Sequence, residues 1–441
     1  MEDKKKVVKL DIETYTDDRG MGVFNFKSES KYKNNTHCII KSNCYILRNN
    51  NNNRIEKYED NISNDIENYD TLFRIRKSFL SNTFEIINPI RINMQKNKKN
   101  INNLIYYNSW YVIKSSNNFY KNCNEDYYLN ENDIIKLGNQ KYEIIKKNIN
   151  TNLKEKNKKK LELNEKYNLS IINEKVGSIF DINLKSYQYI DIDSYQLIRK
   201  QNKNNSQNNA EDKKNEDKEI NIKCIKCGLT DSEQNGNLTS SPLLKLCSCP
   251  YYIHYKCLKD KIAEKKSRHE LNKNVIRYKY ADFCCDKCKL QYPTRFSICK
   301  ISDDIYELIN LDIPSKETDF LILESLNYRE DNAKILYIVK FDSKLEINIG
   351  RTDKDENGKI NDFIDRDGSI SSSHAVLKKD ENGNIIIEDK NSTYGTSVLI
   401  KGNIKLREEN TNFQIGKSYI SASLTDDTDD IDHKKKKITI N

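Results

Sequence analysis

The chain has 441 residues, room for two or three domains. Its 75 basic residues face 66 acidic ones, so the net charge of +9 is thinly spread and gives no strong case for nucleic-acid binding, which needs a clustered patch. No run of about 18 apolar residues reads as a membrane span, and Met1-Glu2-Asp3-Lys4-Lys5-Lys6 opens no apolar signal segment, so the chain is expected to be intracellular and not secreted, in cytoplasm or nucleus. In that setting 12 cysteines point to metal ligands or free thiols rather than disulfides.

Residues 1–149 read as an N-terminal β domain. Cys38-Ile39-Ile40, Tyr45-Ile46-Leu47 and Trp110-Tyr111-Val112-Ile113 are strand-like runs between Asn-rich turns, and Asn49 to Asn53 is a low-complexity insert. Leu129 to Gly138 followed by Tyr142 echoes Leu406 to Gly416 followed by Tyr419: strand, glycine turn, strand in both. The echo predicts a second, divergent β-sandwich in residues 1–149; an unrelated β domain is the alternative. Residues 150–220 form a charged, Asn-rich linker region. Lys154 to Lys160 has few apolar anchors, and residues 200–219 cannot bury enough surface to offset chain entropy.

Residues 221–298 carry the sharpest signal. Cys224 and Cys227, then Cys247 and Cys249, then His254 and Cys257, then Cys285 and Cys288 make four close pairs of N/S donors. Eight such ligands suit two tetrahedral Zn²⁺ ions. The metals would replace a core that a module this small could hardly build alone. Cys284 abuts Cys285, but the two-residue spacing to Cys288 favours Cys285. Cys38, Cys44, Cys123 and Cys299 are expected to be buried thiols, and His269 to be exposed on a Lys/Glu-rich helical stretch.

The pair order resembles the RING-CH zinc finger, a RING variant, at Pro242 to Cys249, Ile253 to Leu258 and Cys284 to Lys289. The resemblance implies a cross-braced topology, with Cys224, Cys227, His254 and Cys257 on one zinc and Cys247, Cys249, Cys285 and Cys288 on the other. It also implies a ubiquitin ligase that recruits a ubiquitin-conjugating enzyme through an apolar groove, where Ile225 is the candidate residue. The chain departs from that pattern where an aromatic usually follows Cys257-Leu258. Lys261 stands there, and an ammonium is a poor substitute for a rigid apolar anchor.

Residues 299–425 read as a β-sandwich, and residues 426–441 as a charged tail in which Lys434 to Lys437 could act as a nuclear signal. Ile335 to Val339 is a buried strand, and Leu345 to Ile349 alternates with period two. Asn382-Gly383 between Ala375-Val376-Leu377 and Ile385-Ile386-Ile387 is a hairpin signal. Gly350-Arg351, Ser371-Ser372-Ser373-His374 and Ser392-Thr393-Tyr394-Gly395-Thr396 fall in the loops between such strands. A planar guanidinium and loop hydroxyls suit a dianionic phosphate on a peptide. Six carboxylates (Asp353, Asp355, Glu356, Asp362, Asp365 and Asp367) against Lys354, Lys359 and Arg366 predict a local field opposing it. Asp353, Asp355, Asn357 and Gly358 also match the start of an EF-hand loop. Its twelfth position is Ile364 and no flanking helix pattern exists, so calcium is rejected.

These three motifs resemble the forkhead-associated (FHA) domain. The resemblance implies an eleven-strand sandwich that reads phosphothreonine. Arg351 and Ser371 would hold the phosphate, Thr393 would buttress the threonine, Ser372 would border the peptide and His374 would brace the loops. Gly350 and Gly395 would shape the backbone there. Tyr394 stands where the family often has the Asn that grips the peptide backbone. A zinc module before an FHA sandwich resembles proteins of single-celled eukaryotes. The whole chain therefore reads as mainly β and multidomain. Its expected function is a non-enzymatic adaptor that binds a phosphorylated protein, stiffened or docked by its zinc module. The alternative is a RING-type ubiquitin-protein ligase that selects phosphorylated substrates through its FHA domain. No Ser-His-Asp set, paired acid cluster or open metal site points to other enzyme chemistry.

Overall fold

The structure, a computed structural model, describes residues 5–15, 24–27, 32–49, 54–59, 69–78, 83–87, 109–113, 127–148, 187–190, 223–229, 243–247, 249, 252–298, 305–327, 332–342, 344–400 and 403–427. It opens with β1 (Lys6–Tyr15), β2 (Lys33–Ile40), β3 (Cys44–Asn49), β4 (Ile55–Glu59), β5 (Tyr69–Lys77), β6 (Phe84–Ile87), β7 (Ser109–Ile113), β8 (Tyr127–Tyr128), β9 (Ile134–Leu137) and β10 (Gln140–Asn148). Next come β11 (Tyr187–Ile190), β12 (Leu243–Leu244), β13 (Ile253–His254), helix α1 (Tyr255–Ala263), β14 (Lys266–Glu270), β15 (Val275–Tyr280), β16 (Arg295–Ile298), β17 (Ile305–Glu307), β18 (Phe320–Ser325) and β19 (Lys334–Lys340). The chain closes with β20 (Glu346–Gly350), β21 (Phe363–Ile364), β22 (Ala375–Lys379), β23 (Ile385–Asp389), β24 (Thr396–Leu399), β25 (Ile404–Lys405), β26 (Thr411–Ile415) and β27 (Ser418–Asp426). The described residues fall into two compact units, one drawn from 1–178, 316–320 and 340–441, the other from 179–315 and 321–339. No helix among them is long and apolar enough to cross a membrane.

In the first unit, strands from both ends of the chain share sheets. One runs β10-β9-β24-β7-β26-β27-β1-β2. A second runs β21-β20-β22-β23-β8, and a third β25-β6-β5-β3-β4. β1 lies antiparallel to β27, with Leu10 opposite Ala422 and Ile12 opposite Ile420. Val8, Leu10 and Ile12 of β1 and Phe413, Ile420 and Ala422 of β26 and β27 pack on Ile46, Phe73, Ile75 and Phe84 of the third sheet. Each of these side chains is at most 1% exposed, so two sheets close over one core. Tyr142 of β10 meets Phe363 of β21 edge to face at 5.6 Å. The N-terminal segment and the C-terminal sandwich, expected as separate domains, are thus interleaved. A strand with an apolar face needs two ladder partners and a covering layer: β1 has β2 on one edge and the third sheet over its face, but its other edge is filled only by β27 near the end of the chain.

The smaller features follow the sequence more closely. Gly138 and Gly416, both at positive φ, turn the β9–β10 and β26–β27 hairpins that the internal echo marked. Gly383 turns the β22–β23 hairpin. Cys44 is buried and Cys38 half-buried, while Cys123 and Cys299 lie outside the described residues. So do residues 50–53, 150–186, 191–222 and 428–441, and with them the low-complexity insert, most of the linker region and most of the tail.

In the second unit, β14, β15, β19 and β18 form a four-stranded run. β16 pairs with β17 antiparallel and with β11 parallel, so one piece of the region expected as linker is a strand. His269 is exposed as expected, but on β14 rather than on a helix. β14 is ladder-paired to β15 through all five of its residues, and that pairing overrides the helical propensity of its Lys and Glu neighbours. Glu324 and Lys334 are buried as an ion pair at 2.6 Å, and Thr294 donates to the same carboxylate at 2.8 Å.

Candidate functional sites

The first site begins at Gly350, the last residue of β20. A Cβ there would lie 2.0 Å from the Ser372 carbonyl oxygen and 2.3 Å from Asn361 Nδ2, so only glycine lets these loops close. The Arg351 N–H donates to the Ser371 carbonyl at 3.0 Å, and Arg351 Nη1 donates to the Gly368 carbonyl at 3.4 Å. Asn361, buried, donates from Nδ2 to the carbonyls of Thr352 and Ser372 at 2.8 and 2.7 Å, tying the two rim loops together.

Ser371 is bound on both sides. Its N–H donates to His374 Nδ1 at 3.0 Å, while its Oγ accepts the Thr393 N–H at 3.0 Å and donates to Thr393 Oγ1 at 3.4 Å. Because His374 Nδ1 accepts, the ring proton sits on Nε2, 3.3 Å from the Gly395 carbonyl. Burial holds His374 below the usual histidine range; Asp389 and the Gly395 carbonyl oppose that shift, and the charge of Lys27 adds to it. His374, with Nδ1 accepting and Nε2 donating, thus ties the Ser371 and Gly395 loops together beneath the cleft. Asp389, 1% exposed, accepts from the Ser392 N–H and Oγ and from Thr396 Oγ1 at 3.0, 2.5 and 2.9 Å, fixing the turn that presents Thr393.

Arg351, Ser371, Ser372, Thr393 and Tyr394 all line one cleft of about 500 Å³. Gly350, His374 and Gly395 shape it from below. Three of the six carboxylates are engaged in structure, one of them with a cation. Asp362 pairs with Lys344 at 2.6 Å, Asp365 accepts from Tyr142 Oη at 2.5 Å, and Asp367 accepts from Gln140 Nε2 at 2.6 Å. Asp355 and Glu356 remain on the cleft wall, the latter accepting from Ser372 Oγ at 3.1 Å. Sequence reading missed Asn361, Asp389, Lys390 and Lys27. The first two resemble any loop polar residue in one dimension, and Lys27 stands more than 300 positions from the motif it joins.

The second unit gathers the eight metal-type donors into two groups. Cys224, Cys227, His254 and Cys257 form one, and Cys247, Cys249, Cys285 and Cys288 the other, with all donor atoms of each within 4.8 Å of one another. The first sequence pair joins the third and the second joins the fourth. Two local turns of the same design supply the Cys-x2-Cys pairs. Gly228 N–H donates to the Cys224 carbonyl and Cys224 N–H to the Leu229 carbonyl; Lys289 and Cys285 repeat this with Cys285 and Leu290, all at 2.9 Å. The fifth residue of each turn, Gly228 or Lys289, has positive φ.

The spacing fits a tetrahedral ion. Sulfurs about 2.3 Å from zinc lie about 3.8 Å apart along a tetrahedron edge; Cys247–Cys285 and Cys285–Cys249 are 3.6 and 3.9 Å apart. Cys227 Sγ lies 3.3 Å from His254 Nδ1. These sulfurs are too far apart for disulfides, which need about 2.05 Å. Burial pushes the Cys247 and Cys257 thiols up to about 12, and neighbouring sulfurs add to that. For Cys224, burial acts upward but backbone N–H donors from Cys227, His254 and Lys226 outweigh it, and the net shift is downward. A divalent cation would displace the protons from such crowded thiols. Each group can thus hold one metal ion, and three thiolates with one imidazole, or four thiolates, suit zinc. Cys284, buried beside Cys285, belongs to neither group. Bound there, zinc would be structural: every coordination position is taken by protein.

No curated protein and no solved structure matches the chain. Residues 347–416, which carry Arg351, Ser371, His374 and Thr393, match the family model described as FHA domain, and this part of the chain is an FHA domain.

Proposed function

We propose that the chain is a phosphothreonine-peptide-binding adaptor whose FHA domain docks a phosphorylated protein. In this reading Arg351 and Ser371 hold the phosphate, Thr393 supports the threonine side, and Ser372 and Tyr394 border the peptide. The observation that carries it is the convergence of these five side chains on one cleft, over a loop network closed by Gly350, Asn361 and His374. The zinc module, with two structural Zn²⁺ ions on the eight donors above, stiffens or docks the assembly. The test is titration of a phosphothreonine peptide library, with unphosphorylated controls, against the wild type and Arg351→Ala. Phosphate-dependent binding lost in the variant supports the reading; equal binding by both proteins refutes it.

A second reading, a RING-type ubiquitin ligase, is favoured by one observation. Ile225 and Leu290, one beside each Cys-x2-Cys turn, are 58% and 42% exposed, apolar side chains offered to solvent. Against it, Lys261 is held by Asp286 at 2.5 Å in the place where the resemblance calls for an aromatic anchor. Autoubiquitination with a panel of conjugating enzymes decides. A product that disappears with Ile225→Ala establishes the ligase, and no product with any of them leaves the adaptor.

A further inference from the structure

The FHA match covers residues 347–416, yet one wall of the cleft comes from the other end of the chain. Residues 24–27 run as a strap past the loop that carries Thr393. Phe24 and Phe26 stack edge to face at 4.9 Å, and both pack on Tyr419 at 5.7 and 5.6 Å. Tyr15 and Val112 complete that aromatic cluster. The Phe26 N–H donates to the Thr393 carbonyl at 2.9 Å. The Phe26 ring fills the space over Gly395, where a Cβ would lie 2.6 Å from it. Thr393 is thus held by Ser371 through its N–H and by the strap through its carbonyl. The Asn25 side chain then accepts the Lys27 N–H at 3.0 Å, turning the chain so that Lys27, exposed, enters the cleft lining.

Charge counting shows what Lys27 changes. The cleft lining carries three cations, Lys27, Arg351 and Lys390, against two carboxylates, Asp355 and Glu356. Without Lys27 the lining would be neutral. A phosphothreonine brings about two negative charges at neutral pH, and Lys390 is partly answered by Glu388 at 3.4 Å. The strap therefore supplies the surplus positive charge of the site.

We propose that Lys27 is a specificity-determining residue of this cleft. With Lys390 it takes a second negative charge on the peptide, close to the phosphothreonine: an acidic side chain or a second phosphate. This rests on the phosphopeptide reading above and adds to it. The chain would select threonine segments that are acidic or doubly phosphorylated over singly phosphorylated ones with neutral flanks.

The test uses the full chain and three labelled peptides: phosphothreonine with neutral flanks, with flanking Asp and Glu, and with a second phosphate. Wild type, Lys27→Ala, Lys27→Arg and Arg351→Ala are compared by fluorescence polarisation at several salt concentrations. An ammonium meeting a partly solvated anion is worth about three- to tenfold in affinity. Wild type should prefer the acidic peptides by about that factor. Lys27→Ala should abolish the preference, weaken the neutral-flank peptide less than the acidic ones and flatten the salt dependence. Lys27→Arg should keep the preference. Loss confined to the doubly phosphorylated peptide would identify the second charge as phosphate. An Arg351-dependent interaction whose acidic preference survives in Lys27→Ala overturns this inference alone. So does equal weakening of all three peptides. Binding that ignores Arg351→Ala overturns the phosphopeptide reading beneath it.

Discussion

Lys136 lies in the core of the first unit, 4% exposed, on β9. Its ammonium donates to Gln414 Oε1 at 3.0 Å and sits 4.8 Å from the ring centre of Trp110. Burial, helped by Lys141, lowers its pKa from 10.5 to about 7. The unfolded chain keeps that proton up to the ordinary lysine range and the folded chain releases it near neutrality. Between those limits the unfolded state binds more protons, so stability rises with pH. At about 1.4 kcal/mol per unit, the shift costs the folded state roughly 4–5 kcal/mol at pH 7 and below, and roughly 2 kcal/mol at pH 9. Lys136→Met removes that cost but leaves Gln414 without this donor, a loss of about 1–3 kcal/mol. The variant should therefore be more stable than wild type by roughly 1–4 kcal/mol at pH 7, with the gap closing near pH 9. Trp110 is the only tryptophan in the sequence, so its emission during urea unfolding reports on this unit. In the native protein the same emission should titrate near neutrality in wild type and stay flat in the variant. Wild-type stability that does not climb between pH 7 and 9, or a variant no more stable at pH 7, would refute the buried, readily deprotonated lysine.

Other outcomes follow from the two sites. Asp389→Ala leaves three donors around one buried carboxylate position unanswered and should cost about 2–4 kcal/mol, with phosphopeptide affinity falling alongside in a titration. Gly395→Val combines positive φ with a Cβ driven into Phe26; it should destabilise by several kcal/mol, on the order of known strained positions plus overpacking, read as a lower urea midpoint. Zinc released by a thiol-modifying reagent should amount to two ions per chain; Cys284→Ser should leave both, and Cys285→Ser should release one. Chelation should expose the second unit to limited proteolysis while leaving Trp110 emission unchanged.

The metal donors were legible in one dimension because each pair is local. Coordination restricts residue type, and a Cys-x2-Cys turn closes on itself whatever surrounds it. The FHA motifs were legible because each is a short string of restrictive residue types, although the contacts that fix them run between loops: Ser371 to Thr393, and His374 to the Gly395 carbonyl. The sequence also marked the hairpins at Gly138, Gly383 and Gly416. It did not mark who partners β1. Val7, Val8, Leu10 and Ile12 say that the strand is buried, but strand patterns are degenerate and any apolar neighbour satisfies them. Hence residues 1–149 read as a domain of their own, and nothing in the sequence marked Lys27. The carboxylates of the 353–367 loop misled for a related reason. Composition counts charges, whereas only Asp355 and Glu356 of the six line the cleft, and Asp362 is already paired with Lys344.

Thr14 and Ser418 share a hydroxyl contact at 2.9 Å across a sequence separation of 404 residues. A ribosome adding about 5–20 residues per second needs roughly 20–80 s to deliver β27 after β1 has emerged. Throughout that wait the first strand has β2 on one edge while its other edge stands open, and the charged side chains of Lys9, Asp11 and Glu13 along it guard that edge against pairing with a neighbouring nascent chain. Completion of the cleft that Arg351 lines is thus postponed to the end of synthesis, and a recombinant fragment cut to the FHA-matched segment would lack strands that the full chain packs around it.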